Sequence, residues 1–446
     1  MNLYQQNRKR FQVLMTLDEC VAIIPTNTAK MRNHDCDYRF RPDSDFWYLT
    51  GFAEPGCVLV LIPGEGDDEA GKSILFLRES NKQMEIWNGK RLGLQAAPEA
   101  LGVDEAYDIE ELWTKLPELL VGHPRLLYRL GMDDSMDLRF TGMVKALRSR
   151  ARKGIEPPVE IVDGHHSLHE MRLHKSAEEA DLMRKAAEIT TEAHLAAMAA
   201  TRDGVNECEI DALIDYTFRR RGANGQAYSS IVAGGENACI LHYVENDQPL
   251  KDGELLLIDA GAEYQCYASD VTRTFPVSGT FSEPQRALYE VVLKAQEAAI
   301  AAVKPGVPTD QIHEVSLNGL VDGLIELGLI EGPRAKALEK KTFRDFFMHG
   351  TSHWLGLDVH DCGSYAEDGE SRELEPGMVL TVEPGLYVDP ENMDVDAKWR
   401  GIGIRIEDDI LVTEDGHENL TIAIPKSIEA VEAACQASDA LSPIGG

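Results

Sequence analysis

Two carboxylates, Asp259 and Asp270, flank a turn between the apolar stretches 255–258 and 271–275. Each stretch is predicted to form a strand, because short apolar runs bounded by Gly, Pro or acidic residues are typical of buried strands. Asp is rare in strands, and a buried carboxylate is unfavourable unless a cation or several hydrogen-bond donors satisfy it. Each Asp alone is also explained as a turn or capping residue. The pair together indicates a cation site.

Three further residues add to this set. Glu383 follows the apolar stretch 378–382, Glu407 lies inside a third predicted strand over 401–412, and His353 precedes both in the chain. Taken singly, they are also explained as a core histidine and two strand-end acids. Four carboxylates and one imidazole suit hard divalent ions such as Mn²⁺, Mg²⁺ or Co²⁺ better than they suit a thiolate-rich zinc site. Two such ions would neutralise the four negative charges and could activate water for metal-assisted hydrolysis.

The elements that must position these residues fall into two groups. Up to about residue 160, predicted strands (20–25 and 46–50 among them) alternate with helices, as in an α/β domain. Ser176 and Glu179 form a capping-box pattern that predicts a long helix reaching about residue 200. From there, helices alternate with strand pairs in an α+β pattern. The sequence therefore predicts two domains, which divide between residues 172 and 173.

Two motifs resemble functional signatures without their context. Residues 66–73 satisfy the P-loop pattern, but an apolar strand-like stretch follows where a phosphate-binding helix would have to begin. His169 and Glu170 begin a zincin-like pattern, but Leu173 occupies the position of the second histidine. We interpret the first motif as a hairpin loop and the second as part of a connector.

Composition limits the possible partners. The 446 residues carry a formal net charge of −32, from 44 Lys and Arg against 76 Asp and Glu, which argues against nucleic acid and against anionic membranes as partners. The eight scattered cysteines fit a reducing cytoplasm. We expect no signal peptide and no transmembrane helix, since long apolar runs are absent from the sequence. The small-residue stretch 438–446 is expected to be a mobile tail.

The motifs now carry a resemblance. Four motifs resemble those of the pita-bread metallopeptidases, a family that includes methionine aminopeptidase, prolidase, aminopeptidase P and creatinase. The motifs are DAG at 259–261 followed by Asp270, HGxSHxLGLxVHD at 349–361, EPG at 383–385 and IRIED at 404–408. Two N-terminal stretches, 43–52 and 85–93, are similar to the aminopeptidase P branch, so the resemblance runs nearly from end to end.

This resemblance implies an α/β N-terminal domain (1–172), for substrate access and oligomerisation, and an α+β pita-bread catalytic domain (173–446). It implies a dinuclear metal hydrolase, with Mn²⁺ as the expected ion, that cleaves the N-terminal Xaa-Pro bond of peptides with proline in the second position. A metal-bridging hydroxide would be the nucleophile. A prolidase restricted to Xaa-Pro dipeptides and a metal-free pita-bread binding module remain as alternatives.

The resemblance also implies residue roles in the metal centre. Asp259 would bind one ion, Asp270 and Glu407 would bridge both, and His353 and Glu383 would bind the other. Glu383 would also act as the general base.

Further roles concern the substrate. His242 and His360 would stabilise the tetrahedral intermediate, and His349 would line the proline side. Arg405, two residues before Glu407 on the same predicted strand face, would hold carboxylates or the shuttle histidine in place. The residue matching Trp87 reaches over from a neighbouring subunit in the family, which implies a homotetramer.

Overall fold

The computed structural model describes residues 2–17, 19–64, 71–163 and 165–437. The chain divides into two compact units, residues 1–172 and 173–446. Within the described ranges, the helices are all too short or too polar to cross a membrane. The expected tail, 438–446, lies outside the described residues.

The N-terminal unit combines a mixed sheet with helices. Its helices are α1 (Leu3–Leu17), α2 (Ser44–Thr50), α3 (Lys82–Asn88), α4 (Ala97–Leu101), α5 (Leu112–Leu119), α6 (Asp134–Ser149) and α7 (His165–Leu173), and short 3₁₀ turns are Ile109–Glu111 and Ala151–Lys153. Its strands are β1 (Cys20–Pro25), β2 (Met31–Asn33), β3 (Cys36–Asp37), β4 (Val58–Ile62), β5 (Lys72–Leu77), β6 (Glu105–Asp108), β7 (Arg125–Leu127) and β8 (Glu160–Val162).

Six of these strands form one sheet in the order β6-β5-β4-β1-β7-β8. β1 is antiparallel to β4 and parallel to β7, so the sheet is mixed. Residues of β1, β4 and β5 bury apolar side chains such as Val21, Val60 and Phe76, on which Leu116 of α5 and Phe140 of α6 pack. The α/β pattern predicted for this unit is confirmed.

The strand predicted over 46–50 is wrong, because this segment is helix α2. The side chain of Asp43 accepts a hydrogen bond from the backbone N–H of Phe46, and Gly51 ends the helix with a left-handed φ of 61°. Two caps outweigh the strand propensity of an aromatic stretch, since they satisfy backbone groups at both ends of a short helix.

The P-loop-like motif lies partly outside the described residues, which omit 65–70. Its last two residues, Lys72 and Ser73, begin strand β5, which pairs antiparallel with β4. The hairpin interpretation is therefore confirmed for the described part, since a P-loop would require a helix at this position.

The C-terminal unit has long helices around several small sheets. Its helices are α8 (Ala177–Ala200), α9 (Glu207–Arg220), α10 (Glu283–Ala302), α11 (Thr309–Glu326), α12 (Arg334–Lys340) and α13 (Ile428–Cys435), with 3₁₀ turns Gly235–Cys239 and Thr342–Asp345. Its strands are β9 (Gly225–Gln226), β10 (Ile231–Gly234), β11 (Leu255–Asp259), β12 (Ala262–Tyr264), β13 (Tyr267–Ala268), β14 (Thr272–Pro276), β15 (Ala366–Glu367), β16 (Glu370–Ser371), β17 (Val379–Val382), β18 (Gly385–Tyr387), β19 (Gly403–Arg405), β20 (Asp408–Val412) and β21 (His417–Asn419).

Two of the three-stranded sheets in this unit have the orders β10-β11-β14 and β17-β20-β21, and most residues of these strands are buried. Helix α8 begins with the capping box that the sequence predicts, in which Ser176 and Glu179 satisfy each other's backbone N–H groups. The core joins Ile189 of α8, Ile258 of β11, Phe275 of β14 and Leu288 of α10. The α+β prediction for this unit is confirmed.

The single strand predicted over 401–412 is wrong in one respect. The structure breaks it into β19, which pairs with β18, and β20, which pairs with β17. Glu407 lies between these two strands and not inside one. Its backbone N–H donates instead to the carbonyl of Thr272, at 3.1 Å. The chain thus changes its pairing partner at Glu407, which the sequence of the stretch 401–412 does not reveal.

Candidate metal centre

A cavity of about 540 Å³ in the C-terminal unit gathers the sequence-predicted site residues. Its lining includes His242, Asp259, Asp270, His349, His353, His360, Glu383, Arg405 and Glu407. Trp87 lies in the N-terminal unit, on helix α3, where 84% of its side-chain surface is exposed. One cavity therefore contains every predicted site residue except Trp87.

Strand ends position the first two carboxylates. Asp259 is the last residue of β11 and pairs with Thr272 of β14, while Asp270 lies just before β14. The chain approaches itself closely here, because a Cβ on Gly261 would lie 1.6 Å from the carbonyl oxygen of Ser269. Only glycine fits at this position, and the tight return brings Asp270 next to Asp259.

The second sheet contributes the other two carboxylates. Glu383 follows β17, and Glu407 precedes β20; the pairing of Val382 with Asp408 places the two acids side by side. The backbone N–H of Glu383 donates to the carbonyl of Thr351, at 2.8 Å. This bond ties the histidine-bearing segment to the same strand end.

The ligand atoms converge at metal-binding spacing. One ligand atom from each of Asp270, His353 and Glu407 lies within 4.8 Å of the others. His353 Nε2 is 3.4 Å from Asp270 Oδ2 and 3.7 Å from Glu383 Oε1. Asp259 lies next to Asp270, since the Tyr228 hydroxyl is 2.5 Å from both Asp259 Oδ1 and Asp270 Oδ1.

The electrostatics of the centre indicate excess negative charge. Burial raises the pKa of Glu383 to about 7, and burial together with the charges of neighbouring carboxylates raises the pKa of Glu407 well above its usual value. Burial also raises the pKa of Asp259. Burial opposes protonation of His353, but its hydrogen bond to Asp270 raises its pKa to about 9. Divalent ions bound among these carboxylates would compete with protons for them.

The donor set fits such ions. Asp270 and Glu407 are only 4% and 2% exposed, so their charges need compensation. Carboxylate oxygens with a single imidazole are ligands for hard or borderline divalent cations. The residues that the sequence nominated therefore fit a divalent metal centre.

A chain of polar contacts supports the centre from one side. Arg405 Nη2 is 2.6 Å from Asp259 Oδ2, and Arg405 Nη1 donates to the Tyr387 hydroxyl at 3.0 Å. Tyr387 in turn lies 2.9 Å from His349 Nε2. Arg405 Nε also donates to Thr272 Oγ1, which donates to Glu407 Oε2 at 2.7 Å. Arg405 thus contacts Asp259 directly and is linked to Glu407 through Thr272.

The remaining histidines lie around the cavity. The His360 ring stands edge-on to His353, with 4.4 Å between ring centroids, and burial lowers the pKa of His360. Burial, and then the charge of Arg405, lower the pKa of His349 to about 4. A histidine with this pKa is uncharged at neutral pH. His242 is exposed at the cavity lining.

Tyr228 and Tyr387 were missed by the sequence analysis, although both contact the predicted residues. Neither belongs to a recognisable motif, so their proximity comes only from the tertiary fold. The His-rich connector, in contrast, has structural contacts. His169 Nε2 lies 3.5 Å from Asp45, and His174 Nε2 lies 3.3 Å from Glu375.

Comparisons with known proteins agree with this geometry. Residues 181–414 match the model described as metallopeptidase family M24, so the fold and the site are those of a metallopeptidase. Residues 4–128 match the model described as the aminopeptidase P N-terminal domain. The chain belongs to the aminopeptidase P branch of this pita-bread metallopeptidase family, which confirms the resemblance stated from the motifs.

Individual relatives cover nearly the whole chain. The Xaa-Pro aminopeptidase of Escherichia coli strain K12 is 45% identical over 428 residues, 96% of each chain. The structure of Pseudomonas aeruginosa aminopeptidase PepP is 46% identical, with a TM-score of 0.94 over 97% of each chain. Zinc-substituted E. coli aminopeptidase P in complex with product is 44% identical, with a TM-score of 0.94 over 98% of each chain.

Proposed function

We propose that this protein is a metal-dependent aminopeptidase that hydrolyses the bond between an N-terminal residue and a proline in the second position. The observation that carries the proposal is the convergence of Asp270, His353 and Glu407 in one cavity at ligand spacing. The 45% identity to a Xaa-Pro aminopeptidase over 96% of the chain supports the substrate class.

Five residues would hold two divalent ions: Asp259, Asp270, His353, Glu383 and Glu407. When bound, the ions supply a Lewis acid for the scissile carbonyl and lower the pKa of an attacking water. We propose Mn²⁺ as the native ion because the donor set is rich in oxygen. The relative that is described as zinc-substituted supports a site that accepts more than one divalent ion.

Glu383 is the proposed general base. Burial raises its pKa to about 7, and bound cations would hold this carboxylate ionised. An ionised carboxylate at this position can take a proton from water and return it to the leaving proline nitrogen.

The histidines orient the substrate. His349 is neutral, and its Nδ1 lies 2.6 Å from the Gly350 carbonyl, so Nδ1–H donates to that oxygen. Nε2 then accepts from Tyr387, which fixes the ring as a wall for the pyrrolidine. His360 and His242, which both line the cavity, are the proposed hydrogen-bond donors to the substrate carbonyl oxygens. A rigid pocket of this kind replaces the scissile N–H that an Xaa-Pro bond lacks.

We also propose a homotetramer in which Trp87 closes a neighbouring subunit's cavity. Helix α3 exposes 44% of Met84, 81% of Ile86 and 84% of Trp87, and clustered exposed apolar side chains are typical of interfaces. Sedimentation analysis of the wild type measures the oligomeric state, and a monomeric wild type would contradict the proposal. Kinetics and metal analysis test the role of the side chain: Trp87→Ala is expected to keep its metal but to have a higher KM.

A cytoplasmic location is proposed from the free thiols, two of which, Cys36 and Cys208, are exposed.

The test of function is hydrolysis of Arg-Pro-Pro and of the dipeptide Ala-Pro, with Mn²⁺ and with EDTA. Cleavage of the tripeptide between Arg and Pro, poor cleavage of the dipeptide and inhibition by EDTA are expected. The Glu383→Gln variant is the control and should lose activity. Cleavage of the dipeptide alone would identify a prolidase. Cleavage of neither peptide by the metal-loaded protein would contradict the proposal.

A further inference from the structure

The loop that carries His360 has little regular structure to hold it. Residues 355–361 lie outside the helices and strands and are tied to strand β17 by the hydrogen bond from Leu355 N to Val379 O, at 3.0 Å. Within the loop, Asp361 N donates to Trp354 O at 2.9 Å. These backbone contacts hold the two ends of the loop, so the orientation of His360 also depends on the side chains that pack against the loop.

A buried ion pair provides that support. Lys175 Nζ lies 3.1 Å from Asp361 Oδ2, and the side chains of both residues are only 1% exposed. Lys175 Nζ is also 3.4 Å from the carbonyl oxygen of Leu173, and the Lys175 N–H donates to Gly377 O at 2.8 Å. The cation therefore has a fixed position next to the start of β17, and it fixes the carboxylate that follows His360.

The loop closes tightly around this pair. A Cβ on Gly356 would lie 2.1 Å from Asp361 Oδ2 and 2.9 Å from Lys175 Cε. The Gly356 carbonyl also accepts the N–H of Ala268 at 2.8 Å. With no room for a side chain at 356, the loop has one close-packed arrangement around the two charges.

We propose that Lys175 and Asp361 are positioning residues that hold the 355–361 loop so that the His360 imidazole keeps its place in the catalytic cavity. Neither side chain lines that cavity. A buried charge without its partner is strongly unfavourable. Loss of either side chain therefore favours a shift of the loop that brings the remaining charged group into contact with water. The catalytic part of this inference rests on the proposed function, because it assumes that His360 acts on the substrate.

The experiment measures kcat and KM for Arg-Pro-Pro with metal-loaded Lys175→Met, Asp361→Asn and the charge-free double variant Lys175→Met/Asp361→Leu. Each is expected to lower kcat by about ten- to a hundredfold, since small misplacement of a catalytic group has effects of this size. KM and metal content should stay near the wild-type values. The double variant should recover thermal stability and keep the low kcat, which separates positioning from stability.

Arg172→Met is the matched control. Arg172 forms a similar ion pair with Asp45, at 2.7 Å, within the N-terminal unit, and its side chain is 4% exposed. This variant should lower the melting temperature and leave kcat within about twofold, because small effects are the rule away from a catalytic group.

A second measurement tests whether Lys175 acts through His360. In a His360→Ala background, adding Lys175→Met should change kcat by less than about twofold, since coupled residues are non-additive. An equal fold-loss in both backgrounds, or an unchanged kcat in Lys175→Met, would overturn the inference.

A third readout does not need activity. In ¹³C-histidine-labelled protein, the ring resonance that His360→Ala removes should shift in Lys175→Met, while it should not shift in Arg172→Met. A resonance that stays in place in Lys175→Met overturns the inference. A wild type that fails to cleave Arg-Pro-Pro contradicts the proposed function instead, and the resonance shift still decides the positioning role.

Discussion

Three consecutive acids show how strongly a residue's surroundings determine its behaviour. Glu407 faces the cavity, and burial with neighbouring carboxylates raises its pKa. The next residue, Asp408, is as buried, but ion pairs with Arg273 and Lys426, both at 2.6 Å, overcome the effect of burial and lower its pKa. Asp409 accepts hydrogen bonds from Asp270 N and Ser269 Oγ. Adjacent carboxylates thus line the candidate metal centre, form buried ion pairs and accept hydrogen bonds from the backbone.

At the residue scale, Tyr228→Phe is expected to lower metal affinity by about ten- to a hundredfold, because it removes a hydroxyl that contacts two metal-binding carboxylates. Isothermal titration with Mn²⁺ measures the change, and kcat is measured at saturating metal. Tyr289→Phe is the control, since it removes a hydroxyl bonded to the Lys426 carbonyl. Equal metal affinity in Tyr228→Phe and the wild type would contradict a supporting role for this hydroxyl.

At the scale of elements, helix α8 supports the turn that carries Asp259. His194 Nε2 lies 3.0 Å from the Ala260 carbonyl, and Thr190 Oγ1 accepts the N–H of Ala262 at 3.0 Å. Both α8 side chains are fully buried. A helix face therefore satisfies the Ala260 carbonyl and the Ala262 N–H, at the turn between β11 and β12.

This contact predicts a pH-dependent stability. Burial lowers the pKa of His194 to about 4 in the folded protein, whereas the unfolded value is 6.5, so the unfolded state takes up the proton first as pH falls. Between pH 7 and pH 5 the wild type should lose about 2 kcal/mol more unfolding free energy than His194→Gln, which keeps a donor but does not titrate. Urea unfolding in EDTA measures this difference. Equal losses in both proteins would show that His194 is not held neutral.

The turn itself gives a second prediction at this scale. Gly261→Ala should destabilise the protein by about 3 kcal/mol or more and reduce bound metal, because the new methyl group overlaps the Ser269 carbonyl. Gly416→Ala, where an added Cβ meets no atom within 4 Å, is the control and should change stability by less than about 0.5 kcal/mol. Thermal unfolding and metal analysis measure both. A stable, metal-replete Gly261→Ala would contradict the close approach.

At the scale of the whole molecule, the proposed metal ligands all belong to one of the two units, residues 173–446. A ligand stabilises the state that binds it, by about 2.7 kcal/mol at one hundred times its Kd. Binding should therefore protect the C-terminal unit selectively against opening.

Hydrogen exchange followed by mass spectrometry measures this selectivity. Mn²⁺ at one hundred times its Kd should slow exchange in β11, β14 and β20 by up to about a hundredfold, and leave β1, β4 and β5 unchanged. A Glu407→Ala variant should show no slowing. Equal protection of both units would mean that metal binding stabilises the whole chain.

The sequence by itself nominated the residues of the candidate metal centre, because ligand types, strand ends and motif neighbours are local features of the chain. Asp259 and Asp270 at the ends of apolar stretches, and the capping box of Ser176 and Glu179, needed no tertiary information. The α/β and α+β patterns of the two units follow from the same local periodicities.

Only the tertiary structure decided which groups support those ligands. Tyr228 and Lys175 lie far along the chain from the carboxylates they contact, and no motif connects them. The strand break at Glu407 arises because two different sheets compete for the stretch 401–412, which its apolar pattern alone predicts as one strand. Contacts between distant segments depend on how helices, strands and loops pack within a unit, so they become visible only when the chain is folded.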